Sequence, residues 1–335
     1  MSTRRPTMED VAAAAGVSRA LVSIVFRQAP GASEETRARV MAAAAGLGYE
    51  PDRRASRLGR SRTRMIGVVF DFAGDFHAEV IDGIYRAATR HGYEVVLSPI
   101  TPHRSEQAAI GAVLGERCEG VILIGPQVRT REIAELAQRV PTLVLLRRPR
   151  LAILDSIATD DAAGMKLLID HLAGLGHQRI TYLDGGTAAG AAQRRKAYRA
   201  AMRAHGLEAV TVLGGLSEDT GAVAAEEILQ LAPGQRPSAV AAFNDRCAIG
   251  ALHRLRSGGM AVPADLSLTG FDDVAAAEFR HIDLTTVRQD TETLGALAIN
   301  RLRERLEEDA APGLAQLVPP ELVIRSTTAQ RTIRG

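Results

Sequence analysis

The stretch Thr7-Met8-Glu9-Asp10-Val11-Ala12-Ala13-Ala14-Ala15-Gly16-Val17-Ser18 decides how the chain begins to fold. Thr7 places a hydroxyl at a helix N-cap and Asp10 places an acid three positions later, which is typical of a helix start. Gly16 predicts the end of this helix, because glycine adopts the left-handed C-cap conformation at low cost. Ser18 then predicts the cap of a second helix over residues 19–26. Two helices separated by a three-residue turn that contains glycine form the helix-turn-helix pattern.

The second helix carries side chains suited to reading DNA. Its first residues, Ser18, Arg19 and Ala20, are expected to point away from the core and to enter the major groove of a duplex. Arg19 can donate two hydrogen bonds to a guanine edge, and Ala20 is small enough to pack on a thymine methyl. The hydroxyls of Thr7, Ser18 and Ser23 suit phosphate oxygens. The alternative interpretation is a three-helix bundle that packs on the core and touches no DNA.

Charge is distributed unevenly along the 335 residues. Residues 1–64 hold twelve arginines, no lysine and six acids, which is a net charge of +6. Since the whole chain carries only +2, the remaining residues carry −4. A basic end on a mildly acidic body is typical of a nucleic-acid-binding unit joined to an ordinary domain.

Length and composition indicate a globular protein of more than one domain. The hydrophobic fraction is 46%, and 335 residues exceed one ordinary core. No apolar run approaches the roughly 18 residues of a membrane span, and no apolar segment follows Arg4 and Arg5 as in a secretory signal. We therefore expect a cytoplasmic protein. Cys118 and Cys247 are expected to be buried free thiols, and no metal or cofactor is expected, since no metal-type Cys or His spacing occurs.

Residues 33–64 contain a third helix and a linker. Ser33 predicts the cap of a helix that ends at Gly48. Pro51 stops any continuation, because the residue before a proline avoids the helical region. Residues 52–58 can form a helix, but one too short to be stable alone in water.

From residue 65 onward, short apolar runs alternate with longer amphipathic segments. The apolar runs predict strands at 65–70, 94–98, 120–124, 142–146, 179–183, 210–213, 239–243 and 267–270. The amphipathic segments predict helices at 76–91, 105–116, 131–139, 162–174, 191–205, 219–231 and 245–257. This alternation is typical of parallel sheets with helices on both faces, and the number of strands favours two doubly wound α/β subdomains.

Several of these motifs together resemble the lactose-repressor (LacI/GalR) family of transcriptional regulators. In the N-terminal part the similar stretches are 7–12, 15–18, 22–23, 33–37 and 47–51. In the core they are 162–164, 171–172, 176–177, 237–239, 244–245, 270–273 and 284–289, and the resemblance runs through residue 328. It implies a helix-turn-helix headpiece, a hinge helix with its linker, and a periplasmic-binding-protein-like effector-binding and dimerisation core, at 1–50, 51–64 and 65–335.

The resemblance implies two core subdomains that exchange the chain three times. The N-subdomain would cover about 65–157 plus 290–319, and the C-subdomain about 158–287 plus 320–328. The crossings are expected near 155–158, 285–289 and 319–322.

The resemblance also implies which residues bind DNA beyond the second helix. The hinge helix would fold on operator DNA, pair with that of a second copy, and insert Leu58 into the minor groove. Ala55 lies one turn earlier on the same face, and Arg57 precedes the leucine. Arg27, in the recognition helix, stands where relatives usually have Asn.

The effector site is implied in the same way. Arg194, Asn244 and Asp272 should reach the ligand from the C-subdomain, with Phe76 or His77 facing them across the cleft. Asp160 and Gln289 are further candidates at the subdomain edges. A guanidinium, an amide and a carboxylate provide convergent donors and acceptors for a polyhydroxylated molecule.

The sequence departs from the family pattern at several positions. Gly74-Asp75-Phe76-His77 stands where many relatives have Asn-Pro-Phe-Phe, and Ala197 replaces the usual glycine after the ligand arginine. Leu146-Arg147-Arg148 stands where an Asp-Arg pair is common, so one expected sugar-binding carboxylate is missing. The tail from Ser326 has no leucine heptads, which favours a homodimer over a tetramer.

We therefore expect a dimeric regulator, a repressor, that binds a pseudo-palindromic operator in double-stranded DNA. A small molecule, a sugar or a related metabolite, would alter its DNA affinity from the core cleft. The alternative is a solute-binding protein without a regulatory role, and the arginine-rich headpiece argues against it. An α/β enzyme is the third hypothesis, but neither a phosphate loop nor a Gly-x-Ser-x-Gly elbow occurs, and Gly185-Gly186 with Gly190 does not fit dinucleotide spacing.

Overall fold

A computed structural model of the protein describes residues 6–27, 29–49, 62–72, 75–149, 151–307 and 312–331. The chain divides into two compact units, residues 1–63 and residues 64–335. Each unit has a hydrophobic core of its own. None of the helices in the described ranges combines the length and the apolar content that a membrane span requires.

The N-terminal unit is a small helical bundle. Its helices are α1 (Met8–Ala15), α2 (Arg19–Phe26) and α3 (Glu34–Leu47). Val11, Val22 and Val40, one from each helix, are fully buried where the helices meet. Gly16 and Gly48 follow α1 and α3 in the left-handed region, with φ of 63° and 62°. The predicted helices and their glycine stops are therefore confirmed.

The larger unit alternates strands and helices over most of its length. Its first part contains β1 (Met65–Asp71), α4 (Asp75–Arg90), β2 (Glu94–Ile100), α5 (Glu106–Gly115), β3 (Gly120–Ile124), α6 (Thr130–Ala137), β4 (Thr142–Leu145) and β5 (Asp155–Thr159). Its second part contains α7 (Asp161–Gly174), β6 (Ile180–Asp184), α8 (Ala191–Ala204), β7 (Val210–Leu213), α9 (Glu218–Gln230), β8 (Ala239–Ala242), α10 (Asp245–Ser257) and β9 (Ser267–Thr269). The chain then forms β10 (Thr286–Arg288), α11 (Thr291–Glu307), β11 (Ala315–Val318) and β12 (Glu321–Val323).

Two parallel sheets organise this unit. One has the strand order β11-β5-β4-β3-β1-β2, and the other has the order β7-β6-β8-β9. A hydrophobic cluster lies on each face of each sheet. Because helices cover both faces, central strands such as β3 are buried along their whole length, which explains their unbroken apolar sequence. The predicted α/β class with a separate helical headpiece is confirmed.

The first sheet contains elements that the apolar pattern did not reveal. Residues 155–158, predicted as a crossing between subdomains, instead lie within β5, an interior strand between β4 and β11. The chain leaves this sheet only after Thr159. The later predicted crossings, 285–289 and 319–322, lie at β10 and β12, which pair with each other antiparallel. Helix α11 was also not predicted, because arginines interrupt its apolar face.

Two arginines of α11, Arg301 and Arg305, explain why β5 is buried although it begins with a charged residue, Asp155. Asp155 is 3% exposed at the start of β5. Its Oδ1 accepts hydrogen bonds from Arg301 Nε at 3.0 Å and from the Leu314 amide at 2.8 Å, and its Oδ2 accepts one from Arg305 Nε at 2.7 Å. One carboxylate thus fixes α11 and the start of β11 to the first sheet. The charge is tolerated in the interior because each carboxylate oxygen has a charged donor.

We predict that Asp155→Asn lowers the free energy of unfolding by about 3–5 kcal/mol, because it removes a buried negative charge that pairs with both Arg301 and Arg305. Urea unfolding followed by circular dichroism measures this change. The control is Asp82→Asn, which removes an exposed carboxylate that pairs with Arg86 on the surface of α4. The control should change stability little. Equal stability of the two variants would contradict the assigned role of Asp155.

Candidate functional site

A cavity of about 600 Å³ lies between the two sheets of the larger unit. Its walls are built by residues that follow the strands. Ile124 and Leu146 come from the carboxyl ends of β3 and β4, whereas Gly185 and Phe243 follow β6 and β8. Ligands of open α/β sheets bind at this end of the strands, because the polypeptide diverges there and leaves a crevice. The cavity is therefore the candidate ligand site.

Arg194, in the first turn of α8, is the central charge of this cavity. Its side chain is 8% exposed. Nε donates to Asp161 Oδ1 at 2.8 Å, and one terminal nitrogen donates to the Phe243 carbonyl at 2.6 Å. The guanidinium also lies 3.5 Å from the ring centre of Phe271, which is a cation–π contact. The group is thus held in one position by an acid, a carbonyl and an aromatic face.

A second carboxylate, Asp272, lies on the other side of this guanidinium. Its Oδ1 is 3.7 Å from an Arg194 nitrogen. Burial would lower the pKa of Arg194, but Asp161 and Asp272 raise it above its ordinary value. Burial raises the pKa of Asp272, and the nearby Asp245 raises it further, whereas Arg194 lowers it. The backbone of Asp272 has a φ of 125°, so this side chain is placed by an unfavourable backbone conformation.

Asp272 is also the end of a hydrogen-bonded chain between the sheets. Gln289 Nε2 donates to Asp272 Oδ1 at 2.7 Å. The Thr159 hydroxyl, at the end of β5, donates to Gln289 Oε1. Gln289 follows β10, one of the crossing strands. The carboxylate that faces Arg194 is therefore connected through one amide to the first sheet.

The buried Asp245 supports the loop that carries Asp272. Its Oδ2 accepts from the Val274 amide at 2.9 Å, and its Oδ1 accepts from the Thr286 hydroxyl. The side chain is fully buried and contacts no cation that the structure records. Burial therefore raises its pKa to about 6, although the two hydrogen bonds lower it.

The structure brings six of the seven predicted ligand residues to the cavity. These are Phe76, His77, Arg194, Asn244, Asp272 and Gln289. Asp160 is absent from the lining. Its Oδ1 instead accepts from the amides of Ala162 and Ala163 at 3.0 Å and caps α7. The adjacent Asp161 lines the cavity, and only the cap geometry of Asp160 distinguishes the two aspartates.

Two of the lining residues have polar groups already engaged. Asn244 Oδ1 accepts from the Cys247 amide at 2.9 Å as the N-cap of α10, and its Nδ2 donates to the Leu216 carbonyl at 3.2 Å. His77 Nδ1 lies 2.8 Å from the Asp71 carbonyl. Asn244 therefore orients the helix that borders the cavity as well as lining it.

Sequence reasoning missed Glu106 and Arg246, which also line the cavity. Glu106 begins α5, and Arg246 pairs with Glu218 of α9 at 2.7 Å. Neither belongs to a loop directly after a strand, so no spacing pointed to them. Among the residues that the structure describes, no group of His, Cys, Asp and Glu is arranged to hold a metal ion.

The N-terminal unit presents a second candidate surface. Ser18, Arg19 and Ala20 are all exposed at the start of α2. The Ser18 hydroxyl accepts from the Leu21 amide at 3.2 Å, which makes it the N-cap. Arg19 approaches Glu9 at 3.7 Å, and both side chains are more than two-thirds exposed. The first turn of α2 thus offers a solvated guanidinium beside a small side chain.

The remaining predicted DNA residues have mixed positions. The Thr7 hydroxyl caps α1 and forms a capping box with Asp10. Ser23 is half-buried, and its carbonyl accepts from Arg27 Nε at 3.2 Å at the end of α2. Ala55, Arg57 and Leu58 lie outside the described residues.

We predict that Asp245→Asn changes the pH dependence of stability. The folded pKa, about 6, lies above the ordinary value near 3.9, so the contribution of this acid to stability is present at low pH and is lost as pH rises through 6. The free energy of unfolding of the variant, relative to wild type, should therefore increase by about 1 kcal/mol between pH 5 and pH 7.

Urea titrations at three pH values measure this difference. Asp219→Asn, at an exposed position of α9, is the control and should keep a constant difference from wild type. A flat profile for Asp245→Asn would show that the acid is ionised in the fold at both pH values.

Comparison with known proteins adds the family context. Residues 7–52 match the model of bacterial regulatory proteins of the lacI family, and residues 169–328 match the periplasmic binding protein-like domain. The chain is 32% identical over 329 residues to the transcriptional repressor PurR of Vibrio campbellii, covering 96% of this chain and 98% of that protein. It is 31% identical to the regulator GalR of Escherichia coli, covering 98% and 97%.

Solved structures agree with these relatives. The lac repressor bound to ONPG in its repressed state superposes with a TM-score of 0.85 at 32% identity, covering 97% of this chain and 100% of that one. A LacI transcriptional regulator from a Rhodococcus species is 40% identical, with a TM-score of 0.76 over 79% of this chain and 98% of that one.

Proposed function

Because the chain belongs to the LacI family of bacterial regulatory proteins, we propose that it is a ligand-responsive transcriptional repressor that binds operator DNA as a homodimer. The observation that carries the proposal is the exposed first turn of α2 on a unit with its own core. Such a turn, with Arg19 and Ala20 solvated, has the geometry of a recognition helix that enters the major groove. A regulator of this kind acts where chromosomal DNA lies, so we assign it to the cytoplasm.

The proposed DNA contacts separate into two kinds. Arg19 would donate to a guanine edge and Ala20 would pack on a thymine methyl, and these contacts specify sequence. Thr7, Ser18, Ser23 and Arg27 would bind phosphate oxygens, and these contacts position the helix. Ala55, Arg57 and Leu58 remain predictions for the minor groove, by the resemblance stated above.

The proposed ligand site is the cavity around Arg194. Two related structures are complexes: one is CelR with cellobiose, and the other is a lac repressor dimer bound to operator and an anti-inducer. We propose that a sugar or related metabolite binds here, in contact with Phe76, His77, Arg194 and Asp272. Asn244 and Gln289 would act mainly by orienting the cavity walls.

Ligand binding would alter DNA affinity through the arrangement of the two subdomains. Thr159, Gln289 and Asp272 join the sheets beside the cavity, so a ligand that contacts Asp272 can favour one arrangement over another. The effect is a coupling free energy between two sites, typically about 1–3 kcal/mol. Whether the ligand releases the operator or promotes its binding depends on which arrangement it favours.

The alternatives receive less support. The helix-turn-helix unit with its exposed Arg19 argues against a solute-binding protein, because solute binding does not require such a unit. An enzyme receives less support, because the relatives that the chain matches are transcriptional regulators. We therefore assign the chain no catalytic activity.

We predict that Arg19→Ala weakens binding to the specific operator by about 10- to 100-fold, because one bidentate contact to a guanine contributes about 1–3 kcal/mol. Fluorescence anisotropy with a labelled duplex from the gene's upstream region, at two salt concentrations, measures the affinity. Random duplex of equal length shows the non-specific component.

The matched control is Arg39→Ala, which removes the same charge from an exposed position on α3. It should retain specific affinity close to that of wild type. Equal binding by the two variants would contradict the role of Arg19. If the intact chain does not bind duplex DNA at low ionic strength, the proposed function is wrong.

A further inference from the structure

Glu106 is a buried acid in the cavity wall for which the proposed function has so far no role. It is the first residue of α5 and is 8% exposed. Its Oε2 accepts hydrogen bonds from the amides of Gln127 at 3.0 Å and Val128 at 2.9 Å. Its Oε1 is buried and has no hydrogen-bond partner among the described residues. One half of the carboxyl group is therefore fixed, and the other half lacks a donor.

An unpaired carboxyl oxygen in a protein interior is unfavourable, because the group has lost water without gaining a donor. Burial accordingly raises the pKa of Glu106, although the two backbone amides lower it. Buried polar groups of native proteins are nearly always hydrogen-bonded, and an unpaired group calls for an explanation, such as a catalytic role or a bound water or ion. Glu106 is one of the residues that line the cavity, so a ligand there lies next to this side chain.

The wall around Glu106 is held in place by two side chains from different elements. Arg147, which follows β4, donates to the carbonyls of Pro126 at 2.9 Å and Val128 at 2.7 Å. The segment 126–128 is thus held by Arg147 through two carbonyls and by Glu106 through two amides. Glu106 therefore provides the carboxyl group of this wall from α5.

The charges of the cavity indicate which ligands it excludes. Four carboxyl groups line it, against the two guanidinium groups of Arg194 and Arg246. Arg194 is paired with Asp161, and Arg246 is paired with Glu218 at 2.7 and 3.0 Å. A phosphate or carboxylate ligand would therefore lie close to carboxyl groups. Both guanidinium groups of the described lining already have acidic partners and would not be free to neutralise it. Removing an anion from water without a new counter-charge is strongly unfavourable.

We propose that Glu106 Oε1 accepts a hydrogen bond from a hydroxyl or ammonium group of the ligand, and that the site selects uncharged or cationic ligands against anionic ones. This inference rests on the proposed function, since it assumes that the cavity is the ligand site. It adds a specificity residue from the first sheet, opposite Arg194. A ligand that bridges the two would contact both subdomains.

A thermal-shift panel on the full chain tests the charge selectivity. The probes are matched sets that differ in charge: glucose, glucosamine and glucose 6-phosphate; galactose, galactosamine and galacturonic acid; and adenosine with adenosine monophosphate. Cellobiose and lactose are added because a cavity of about 600 Å³ exceeds a single sugar ring. We expect the shifts to come from neutral or amino compounds, and the phosphate or acid of the same set to give none.

The role of Glu106 is then tested by calorimetry with the compound that gives the largest shift. In Glu106→Gln, the side-chain oxygen must accept the hydrogen bonds from the Gln127 and Val128 amides. The NH2 group therefore takes the position of Oε1, where it cannot accept a hydrogen bond from the ligand. We expect the Kd to rise by about 10- to 100-fold, the usual effect of losing a hydrogen bond to a charged group. The control is Glu132→Gln, an acid of α6 outside the cavity lining, which should bind like wild type.

The possible failures are distinguishable. A Kd unchanged in Glu106→Gln, with a compound that binds wild type, would overturn the role of Glu106 and leave the ligand site in place. An anionic compound that shifts the melting temperature as much as its neutral counterpart would overturn the charge selectivity. A panel without any shift, combined with intact operator binding, would overturn the cavity as a sugar or nucleoside site, and this inference with it.

Discussion

The shape of the cavity depends on one buried charge, the guanidinium of Arg194. A charge removed from water must be paired and hydrogen-bonded, or the fold does not tolerate it. Arg194 meets this demand with Asp161 from α7, the Phe243 carbonyl after β8 and Asp272 after β9. Two loops at the carboxyl ends of the second sheet, and the start of α7 after β5 of the first sheet, are therefore drawn to one point. The cavity has a defined shape because this group has a defined set of partners.

The pairing of Arg194 with Asp272 also allows a ligand in the cavity to influence the arrangement of the two sheets. Asp272 is held between Arg194 on one side and Gln289 on the other, and Gln289 reaches Thr159 at the end of the first sheet. A ligand that replaces or reinforces any of these contacts changes how favourable the present arrangement of the two sheets is. Asp155 has the opposite role, because its buried contacts attach α11 to the first sheet.

Much of this architecture can be predicted from local sequence rules. Caps and glycine stops predict α1 to α3, and unbroken apolar runs predict strands buried on both faces. These rules fail where contacts with residues far away in the sequence decide whether a polar residue is buried. The polar residues Asp155 and Ser156 do not predict a strand, yet Arg301 and Arg305, about 150 positions later, allow them to form an interior strand. Asp160 and Asp161 are indistinguishable by spacing, and only the cap geometry separates them. The position of Glu106 in the cavity wall could not be predicted from the sequence, because it depends on contacts with a loop some 20 residues later.

The central claim is that occupancy of the cavity and the affinity of the headpiece for DNA are energetically linked. Anisotropy titrations of the operator duplex, with and without a saturating concentration of the tightest-binding compound, measure this linkage directly in the intact protein. We expect that the compound changes the operator Kd by about 5- to 150-fold, and that the operator changes the affinity for the compound by the same factor. Identical operator affinities in the two titrations, with the compound demonstrably bound, would contradict it.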